Sequence, residues 1–173
     1  MKLEKFAFKK VKSTNTTAIR LLKHKKKSGI VISDRQIKGR GQGRNKWISI
    51  NGNIFLTIFF PINNKLSIKK ITRINLNIVK DVIKKNINQK IYVKFPNDIL
   101  INNSKVCGIL QEVVFKNNIK YLIIGIGINL IKSPIIPNYK TSHLNNYSNK
   151  KINKIKIIKD LKKKFEENIN KFK

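Results

Sequence analysis

Hydrophobic residues recur with two different periods along this chain, and the two periods predict two kinds of element. Short runs in which apolar residues alternate with polar ones, or stand together between turn residues, are typical of strands. The predicted strands cover residues 1–12, 29–33, 53–60, 91–100 with a break at Pro96, 105–114 and 121–130.

A spacing of three to four residues predicts three helices. The first begins at Ser13 or Thr14, either of which can cap the first turn with its hydroxyl, and ends near Ser28–Gly29. The other two cover residues 67–86 and 152–172. The residues predicted to face the core are Ala18, Leu21 and Leu22 in the first helix, Ile68, Ile71, Ile74, Ile78, Val79, Val82 and Ile83 in the second, and Ile155, Ile158, Leu161, Phe165, Ile169 and Phe172 in the third.

Paired turn residues lie between several of these segments. Asn51–Gly52, Asn102–Asn103 and Asn117–Asn118 predict hairpins, because asparagine and glycine tolerate the conformation that tight hairpin turns need. Hairpins join antiparallel strands, so we predict an α+β protein with a mixed, mostly antiparallel sheet flanked by helices. The length of 173 residues suits a single domain, and the sequence contains no internal repeat.

The net charge of +31 admits two interpretations. One is binding to nucleic acid, since phosphate contacts dominate such affinity. The other is a compositional bias towards Lys, Ile and Asn. The even spread of the lysines, and the lack of aromatic residues beside arginines, favour the bias. No specific nucleic-acid partner is therefore expected, and a nucleic-acid-binding module remains the alternative.

Cysteine usage and hydropathy describe the expected surroundings of the protein. Cys107 is the only cysteine, which excludes a disulfide within the chain, and only His24 and His143 could join it in a metal cluster. Cys107 is expected to pack as a small apolar residue. No apolar run approaches the roughly 20 residues that span a bilayer. The charged N-terminus is no secretory signal. We expect a cytoplasmic protein that does not associate with membranes.

The segment Gly39–Trp47 reads GRGQGRNKW and is the strongest candidate for chemistry. Glycine lets the backbone approach a ligand closely, and arginine offers several fixed donors to phosphate or carboxylate. The segment therefore predicts a loop that closes over a phosphate-bearing small molecule. Taken alone, it is equally compatible with a basic, flexible, solvent-exposed turn.

Short polar groups stand at two predicted element ends. Ser13–Asn15 opens the first helix, where the three side chains act as a cap or bind a small uncharged ligand. Gln36 lies where a strand passes into the loop, a common place for ligand contacts. Asn97 and Asp98 follow Pro96 either as ordinary turn residues or as an amide and a carboxylate placed for chemistry.

Glycines within predicted strands suggest close approach of a ligand. Lys105 and Gly108 are three residues apart and so face opposite sides of a regular strand. Both can contact one ligand only if Gly108 acts through its backbone or a bulge intervenes. Gly125 and Gly127 share one strand face and leave a groove for a flat ring, with Asn129 at its end.

Taken in order, these segments resemble the catalytic domain of biotin–protein ligases, also called biotin–[acetyl-CoA-carboxylase] ligases. The resemblance covers nearly the whole chain. The matching segments are STN at 13–15, Gln36, GRGQGRNKW at 39–47, KFPND at 94–98, KVCGILQE at 105–112 and GIGIN at 125–129.

The resemblance implies a fold like that of class II aminoacyl-tRNA synthetases and a two-step reaction with biotin, ATP and Mg²⁺. Biotin first attacks the α-phosphate of ATP to give biotinyl-5′-AMP. A lysine of the biotin carboxyl carrier domain of acetyl-CoA carboxylase then takes the biotinyl group and releases AMP. The expected assembly is a monomer or homodimer.

The resemblance also implies roles for individual residues. The implied catalytic residues are Arg40, Lys105 and Asp98, and Asp98 would position the incoming lysine. The implied biotin contacts are Ser13, Thr14, Asn15, Gln36, Gly39, Arg40, Gly41, Gln42, Lys105 and Gly108. The implied ATP contacts are Arg40, Arg44, Trp47, Asn97, Lys105 and Asn129, with Asn97 also serving Mg²⁺ through ATP.

The sequence departs from the family in several places. Gln42 stands where the family loop often has arginine. Arg44 offers a positive charge two residues later. Retention of the adenylate is the property that this change in the loop is expected to affect. Phe95 replaces the usual tryptophan of KWPND. We expect neither a helix-turn-helix before residue 1 nor the C-terminal β-barrel domain. A lipoate-type ligase and a decayed ligase that only binds biotin remain alternatives.

Overall fold

The computed structural model describes residues 1–63 and 66–172. Within these ranges, seven strands form one sheet in the order β1-β2-β3-β7-β6-β5-β4. The strands are β1 (Glu4–Val11), β2 (Gly29–Gln36), β3 (Ile54–Pro61), β4 (Ile91–Lys94), β5 (Asp98–Ile101), β6 (Ser104–Lys116) and β7 (Ile119–Ile128). β1 is parallel to β2, and every other neighbouring pair is antiparallel. The predicted mixed, mostly antiparallel sheet is confirmed.

Three α-helices of the described residues cover the two faces of the sheet. They are α1 (Thr14–Lys23), α2 (Ile68–Lys84) and α3 (Lys154–Asn168). The apolar stripe of α1 packs on one face of β2, β3 and β7. α2 and α3 pack together on the other face, over the larger core. The three predicted helices are confirmed, although the last four residues of the third form a separate 3₁₀ turn, Ile169–Phe172.

Two residues predicted to face the core lie instead in solvent. Ile68 is 71% exposed and Ile155 is 65% exposed. Each occupies the first turn of its helix, just after the N-caps Ser67 and Asn153. Ile157 supplies the buried contact at the start of α3.

The hairpin predictions have different outcomes. Asn102–Asn103 joins β5 to β6 and Asn117–Asn118 joins β6 to β7, with φ between 48° and 60° at all four asparagines. The Asn51–Gly52 turn forms, but it closes no hairpin. β3 pairs with β2 and β7 instead, so the segment before the turn is left outside the sheet.

The alternation of side chains along β7 creates the space for a site. On the face towards α1, the strand presents Tyr121 and Ile123 and then Gly125 and Gly127. The two apolar residues lie beneath α1. The two glycines lie beyond Asn15 in the first turn of that helix, where no side chain of the strand fills the space.

None of the helices in the described ranges is long and apolar enough to cross a membrane.

Candidate active site

A cavity of about 590 Å³ lies on the glycine half of the sheet, between the start of α1 and the loop after β2. Its floor comprises the Cα atoms of Gly125, Gly127 and Gly108. A methyl group on Gly125 would overlap the side-chain amide of Asn15, and one on Gly127 would lie 2.5 Å from the Trp47 indole. The glycines are therefore required by close packing of polar and aromatic groups above the sheet.

One end of the cavity is polar and uncharged. Gln36 Oε1 accepts hydrogen bonds from the Thr14 backbone N–H at 2.9 Å and from the Thr14 hydroxyl at 3.1 Å. Ser13 is the N-cap residue of α1, but its side chain makes no capping bond. The prediction that Ser13 or Thr14 caps the helix with its hydroxyl is wrong, because Gln36 reaches across from β2 to do so.

Asn15 connects this polar end to the sheet. Its Oδ1 accepts a 2.6 Å bond from the hydroxyl of Thr57. Its Nδ2 donates to the Glu112 carboxylate at 2.7 Å and to the Leu110 carbonyl at 3.3 Å. Asn15 is 2% exposed, so these bonds fix its amide in one orientation.

The loop Gly39–Trp47 folds back on itself. The Trp47 N–H donates to the Gly39 carbonyl at 3.0 Å, and the Gly41 N–H donates to the Asn45 carbonyl at 2.8 Å. Gly43 occupies the tip with φ of +61°, a conformation that favours glycine. The loop is thus a small ordered hairpin over the cavity mouth, and it places two cations, Arg40 and Lys46, on the cavity wall.

Arg40 and Glu112 form a two-point ion pair. Arg40 Nη2 lies 2.7 Å from Glu112 Oε1, and Nη1 lies 3.1 Å from Oε2. The carboxylate is shared with Asn15. Arg40 is thereby linked to the polar end of the cavity through one acidic side chain.

Lys105 also lines the cavity and is paired with Asp98. The distance from Lys105 Nζ to Asp98 Oδ1 is 2.7 Å, and the second carboxylate oxygen accepts a 2.6 Å bond from the Tyr139 hydroxyl. A bulge between β5 and β6 places Lys105 on the same side as Gly108: a methyl group on Gly108 would lie 3.3 Å from Lys105 Nζ. The bulge considered from the sequence is therefore present.

Trp47 lies flat in the glycine groove that was predicted to receive a ring. The indole packs over Gly127 and Gly108, and Lys105 Nζ lies 5.5 Å from its ring centroid. Its Nε1–H is buried and finds no acceptor among residues 1–63 and 66–172. A flat ligand that enters the groove must stack on this indole or displace it.

Most of the predicted site residues converge on the cavity. Those that line it are Ser13, Thr14, Asn15, Gln36, Arg40, Gly41, Gln42, Trp47, Asn97, Asp98, Lys105 and Gly108. Gly39 is buried behind the wall, where a methyl group would overlap the Trp47 carbonyl. Arg44 is exposed and does not line the cavity, and Asn129 donates instead to the carbonyl of Ser142 at 3.1 Å.

Two polar residues beside the cavity, Glu112 and Tyr139, were not predicted from the sequence. Glu112 shares the face of β6 that carries Gly108 and Leu110, so period-two alternation from Gly108 could have found it. Tyr139 has no such signal. It lies in an irregular segment, and only the fold brings its hydroxyl to Asp98.

Burial changes the acidity of two groups here. Burial, the hydrogen bond to Asp98 and the negative charge of Asp98 raise the pKa of Tyr139, so the phenol stays protonated and remains a donor. Burial raises the pKa of the Cys107 thiol, more than the nearby Lys105 lowers it. Cys107 packs in the core, as expected. In the described ranges, no three His, Cys, Asp or Glu side chains are grouped to hold a metal ion.

The chain matches the Biotin/lipoate A/B protein ligase family over residues 7–129, more than half of its length, and therefore belongs to that family. The matched range contains most of the cavity wall, from Ser13 to Gly127.

Particular relatives point to one branch of the family. The Bifunctional ligase/repressor BirA of Bacillus subtilis is 32% identical over 126 residues, which cover 70% of this chain and 39% of that protein. The Biotin–[acetyl-CoA-carboxylase] ligase of Paracoccus denitrificans is 29% identical over 126 residues, which cover 70% of this chain and 52% of that protein. The chain thus matches only about two fifths to one half of the length of these relatives.

A solved structure agrees in fold over nearly the whole chain. The biotin protein ligase from Aquifex aeolicus in complex with biotin and ATP superposes with a TM-score of 0.81 at 25% identity, covering 98% of this chain and 72% of that one. The seven-stranded sheet with its flanking helices is therefore the fold of biotin protein ligases, which is like that of class II synthetases.

Proposed function

We propose that this chain catalyses ATP-dependent attachment of biotin to a lysine of a biotin carboxyl carrier domain, through biotinyl-5′-AMP. One observation carries the proposal: a single cavity joins an uncharged polar end at Ser13–Asn15 to three cations, Arg40, Lys46 and Lys105, of which Arg40 and Lys105 are the proposed catalytic ones. The groups of biotin match this arrangement, because biotin has a polar, uncharged ureido ring at one end and a carboxylate at the other. The sequence identity to the two ligases described above supports biotin as the substrate.

The first step brings together two anions, the biotin carboxylate and the triphosphate of ATP. A carboxylate oxygen attacks the α-phosphorus, the bond to the β-phosphate oxygen breaks, and pyrophosphate leaves with the electron pair. Arg40 and Lys105 lower the repulsion and stabilise the charge that develops on the α-phosphate. Each cation must first exchange its carboxylate partner, Glu112 or Asp98, for a substrate oxygen.

The nucleotide end is proposed to lie towards Trp47 and Asn97. The indole offers a flat surface for adenine, and Asn97 lines the cavity beside Asp98. A Mg²⁺ ion would arrive with ATP and offset the charge of its phosphates. Both oxygens of Asp98 already have partners. The Asn97 amide oxygen is therefore the protein ligand that fits Mg²⁺, and ATP oxygens and water would supply the remaining ligands.

The second step transfers the biotinyl group to an amine. The carrier lysine attacks the acyl carbon, the bond to the phosphate oxygen breaks, and AMP leaves. Asp98 is the proposed acceptor of the ammonium proton. The proposed partner is the carrier domain of acetyl-CoA carboxylase, in the cytoplasm.

Pyrophosphate release tests the proposal. Purified protein with Mg²⁺ and ATP is expected to release pyrophosphate only when biotin is present. Lipoate, the other substrate named by the family, is expected to support little release and to compete poorly against biotin. Faster release with lipoate would reassign the substrate, and release without either acid would overturn the proposed reaction.

The nucleic-acid alternative makes a different prediction. The charge of +31 is expected to give weak oligonucleotide binding that disappears as salt is raised, without preference for sequence. Tight sequence-specific binding at high salt, together with no use of ATP, would favour the alternative.

A further inference from the structure

Asp98 has no free carboxylate oxygen in the structure. Oδ1 forms an ion pair with Lys105 Nζ at 2.7 Å that lacks hydrogen-bond alignment, and Oδ2 accepts a hydrogen bond from the Tyr139 hydroxyl at 2.6 Å. Asp98 is 8% exposed, so water has little access to either oxygen. In this nearly buried position, departure of one of the two partners opens the carboxylate to an incoming amine.

The two partners differ in their freedom to leave. Lys105 has a second task in the proposed reaction, because its charge is needed at the α-phosphate and at the adenylate. Tyr139 has none, and its surroundings hold it in place. The Lys105 N–H donates to the Lys140 carbonyl at 2.9 Å, and the Ser142 N–H donates to the Lys105 carbonyl at 3.0 Å. The chain just after Tyr139 is thus bonded to both sides of Lys105.

Two lysine nitrogens also lie within cation–π distance of the Tyr139 ring, and Lys94 keeps this contact when Lys105 moves. Lys94 Nζ lies 5.0 Å and Lys105 Nζ lies 5.6 Å from its centroid. The ionisable groups that face Asp98 are therefore Lys105, Tyr139, the buried thiol of Cys107 and, across the Tyr139 ring, Lys94.

We propose that Tyr139 is the positioning residue of the transfer step, holding Asp98 Oδ2 while the adenylate draws Lys105 away from Oδ1. The inference rests on the proposed function. It also orders the two steps: Oδ1 stays masked until an adenylate is present, so the proton acceptor is exposed only when an acyl group is ready.

The step balances without a further reactant. The lysine nitrogen forms a bond to the acyl carbon while the bond from that carbon to the AMP oxygen breaks, and AMP leaves with the electron pair. The proton of the new ammonium passes to Asp98 Oδ1 and then to solvent. Tyr139 keeps its own proton and stabilises the ionised carboxylate before the transfer.

The test separates the two half-reactions in Tyr139→Phe, which removes only the hydroxyl. Adenylation is followed with biotin and ATP, and transfer is followed from preformed biotinyl-5′-AMP to a purified biotin carboxyl carrier domain. We expect transfer to slow about tenfold while adenylation changes less than about twofold, since a hydrogen bond to a charged group is lost at one step.

Two controls assign the effect. Tyr147→Phe removes a hydroxyl that donates to the Ile101 carbonyl at 3.3 Å, outside the cavity, and is expected to leave both half-reactions unchanged. Asp98→Asn alone is expected to slow transfer more than adenylation. In the Asp98→Asn background, adding Tyr139→Phe is expected to cause no further loss, because the residue acts through Asp98.

The outcomes distinguish this inference from the proposed function. Equal losses in both half-reactions, an unaltered transfer rate, or a Tyr139→Phe effect that persists without Asp98 would each refute the role of Tyr139 alone. If the wild-type protein transfers no biotin from biotinyl-5′-AMP, the proposed function and this inference both fail.

Discussion

Two cation–carboxylate pairs place their cations on the cavity wall, Arg40 with Glu112 and Lys105 with Asp98. A partly buried cation without a partner would be costly, so each carboxylate stabilises its cation until a substrate anion replaces it. The pairs therefore hold the charges in place at little cost to ligand binding, because one ion pair is exchanged for another.

Lys105→Ala is expected to slow adenylation at least a hundredfold. A charge contact to a transition state is worth roughly 3 kcal/mol, and its loss also leaves Asp98 with Tyr139 as its remaining partner. Biotin-dependent pyrophosphate release measures the effect. The matched control is Lys140→Ala, since Lys140 is exposed and does not line the cavity. Near-normal turnover of Lys105→Ala would remove that residue from the site.

Arg40→Gly is expected to release biotinyl-5′-AMP into solution, because the loop loses the guanidinium that it places on the cavity wall and keeps only the Lys46 ammonium there. Labelling of lysines on an unrelated bystander protein measures the leak. Arg44→Gly makes the same chemical change at an exposed loop position outside the cavity and is expected to confine labelling to the carrier. If the two variants label bystanders equally, loop flexibility rather than the Arg40 charge controls retention.

At the scale of elements, the C-terminal half of β7, with Gly125 and Gly127, determines where ligands fit. Its two glycines serve different neighbours: Gly125 lies against Asn15, and Gly127 lies against Trp47. One strand therefore shapes both the polar end and the aromatic end of the cavity.

Gly125→Ala and Gly127→Ala are expected to impair opposite ends of the site. The methyl group in Gly125→Ala displaces Asn15 and weakens biotin binding, whereas the one in Gly127→Ala displaces the indole of Trp47 and weakens nucleotide binding. Each overpacked contact costs about 1–3 kcal/mol. Trp47 is the only tryptophan, so its fluorescence is expected to change in the unliganded Gly127→Ala protein and not in Gly125→Ala. The same spectral change in both would mean that the ends are not separate.

Local sequence signals predicted where strands and turns occur better than they predicted which strands pair. The asparagine pairs at 102–103 and 117–118 predicted hairpins because the turn itself determines the pairing. Asn51–Gly52 makes the same kind of turn, yet long-range pairing of β3 with β2 and β7 prevails over a local hairpin.

The residues of the candidate site also divide into those that local motifs predicted and those that only the fold brings in. Residues in motifs, such as Arg40 and Lys105, were found from their order along the chain. Glu112, the partner of Arg40, and Tyr139, which donates to Asp98, were not found, because neither contact between distant segments was read from the local sequence. Arg44 carried the right chemistry in the right loop, but the turn at Gly43 directs it away from the cavity.

At the scale of the whole molecule, the two ends of the chain meet beside the sheet. Glu166 of α3 accepts a 2.7 Å bond from the Leu3 backbone N–H and pairs with Lys162 at 2.7 Å. Burial raises the pKa of Glu166, but these bonds and the nearby positive charges outweigh it and hold the pKa below its usual value. A lowered pKa in the folded state means that the stabilisation exists above the ordinary pKa and is lost as the pH falls through the folded one.

Glu166→Gln is therefore expected to lower the free energy of unfolding by about 1 kcal/mol at neutral pH and to differ less from wild type below about pH 4. Denaturant unfolding at both pH values measures it. Glu167→Gln is the control on the same helix, because Glu167 is 46% exposed and its nearest lysine nitrogens are 3.9 Å and 4.0 Å away. A Glu166→Gln deficit that stays constant with pH would show that its charge is not the cause.

The central claim is that Arg40 and Lys105 join biotin to the α-phosphate of ATP in one cavity. Mass spectrometry of the protein under non-denaturing conditions, after incubation with biotin and MgATP, tests it most directly. We predict bound biotinyl-5′-AMP in the wild-type protein, none when biotin is omitted, and at most a trace in Lys105→Ala. A wild-type protein that binds biotin and ATP side by side without forming the adenylate, or a Lys105→Ala protein that forms it equally well, would contradict the claim.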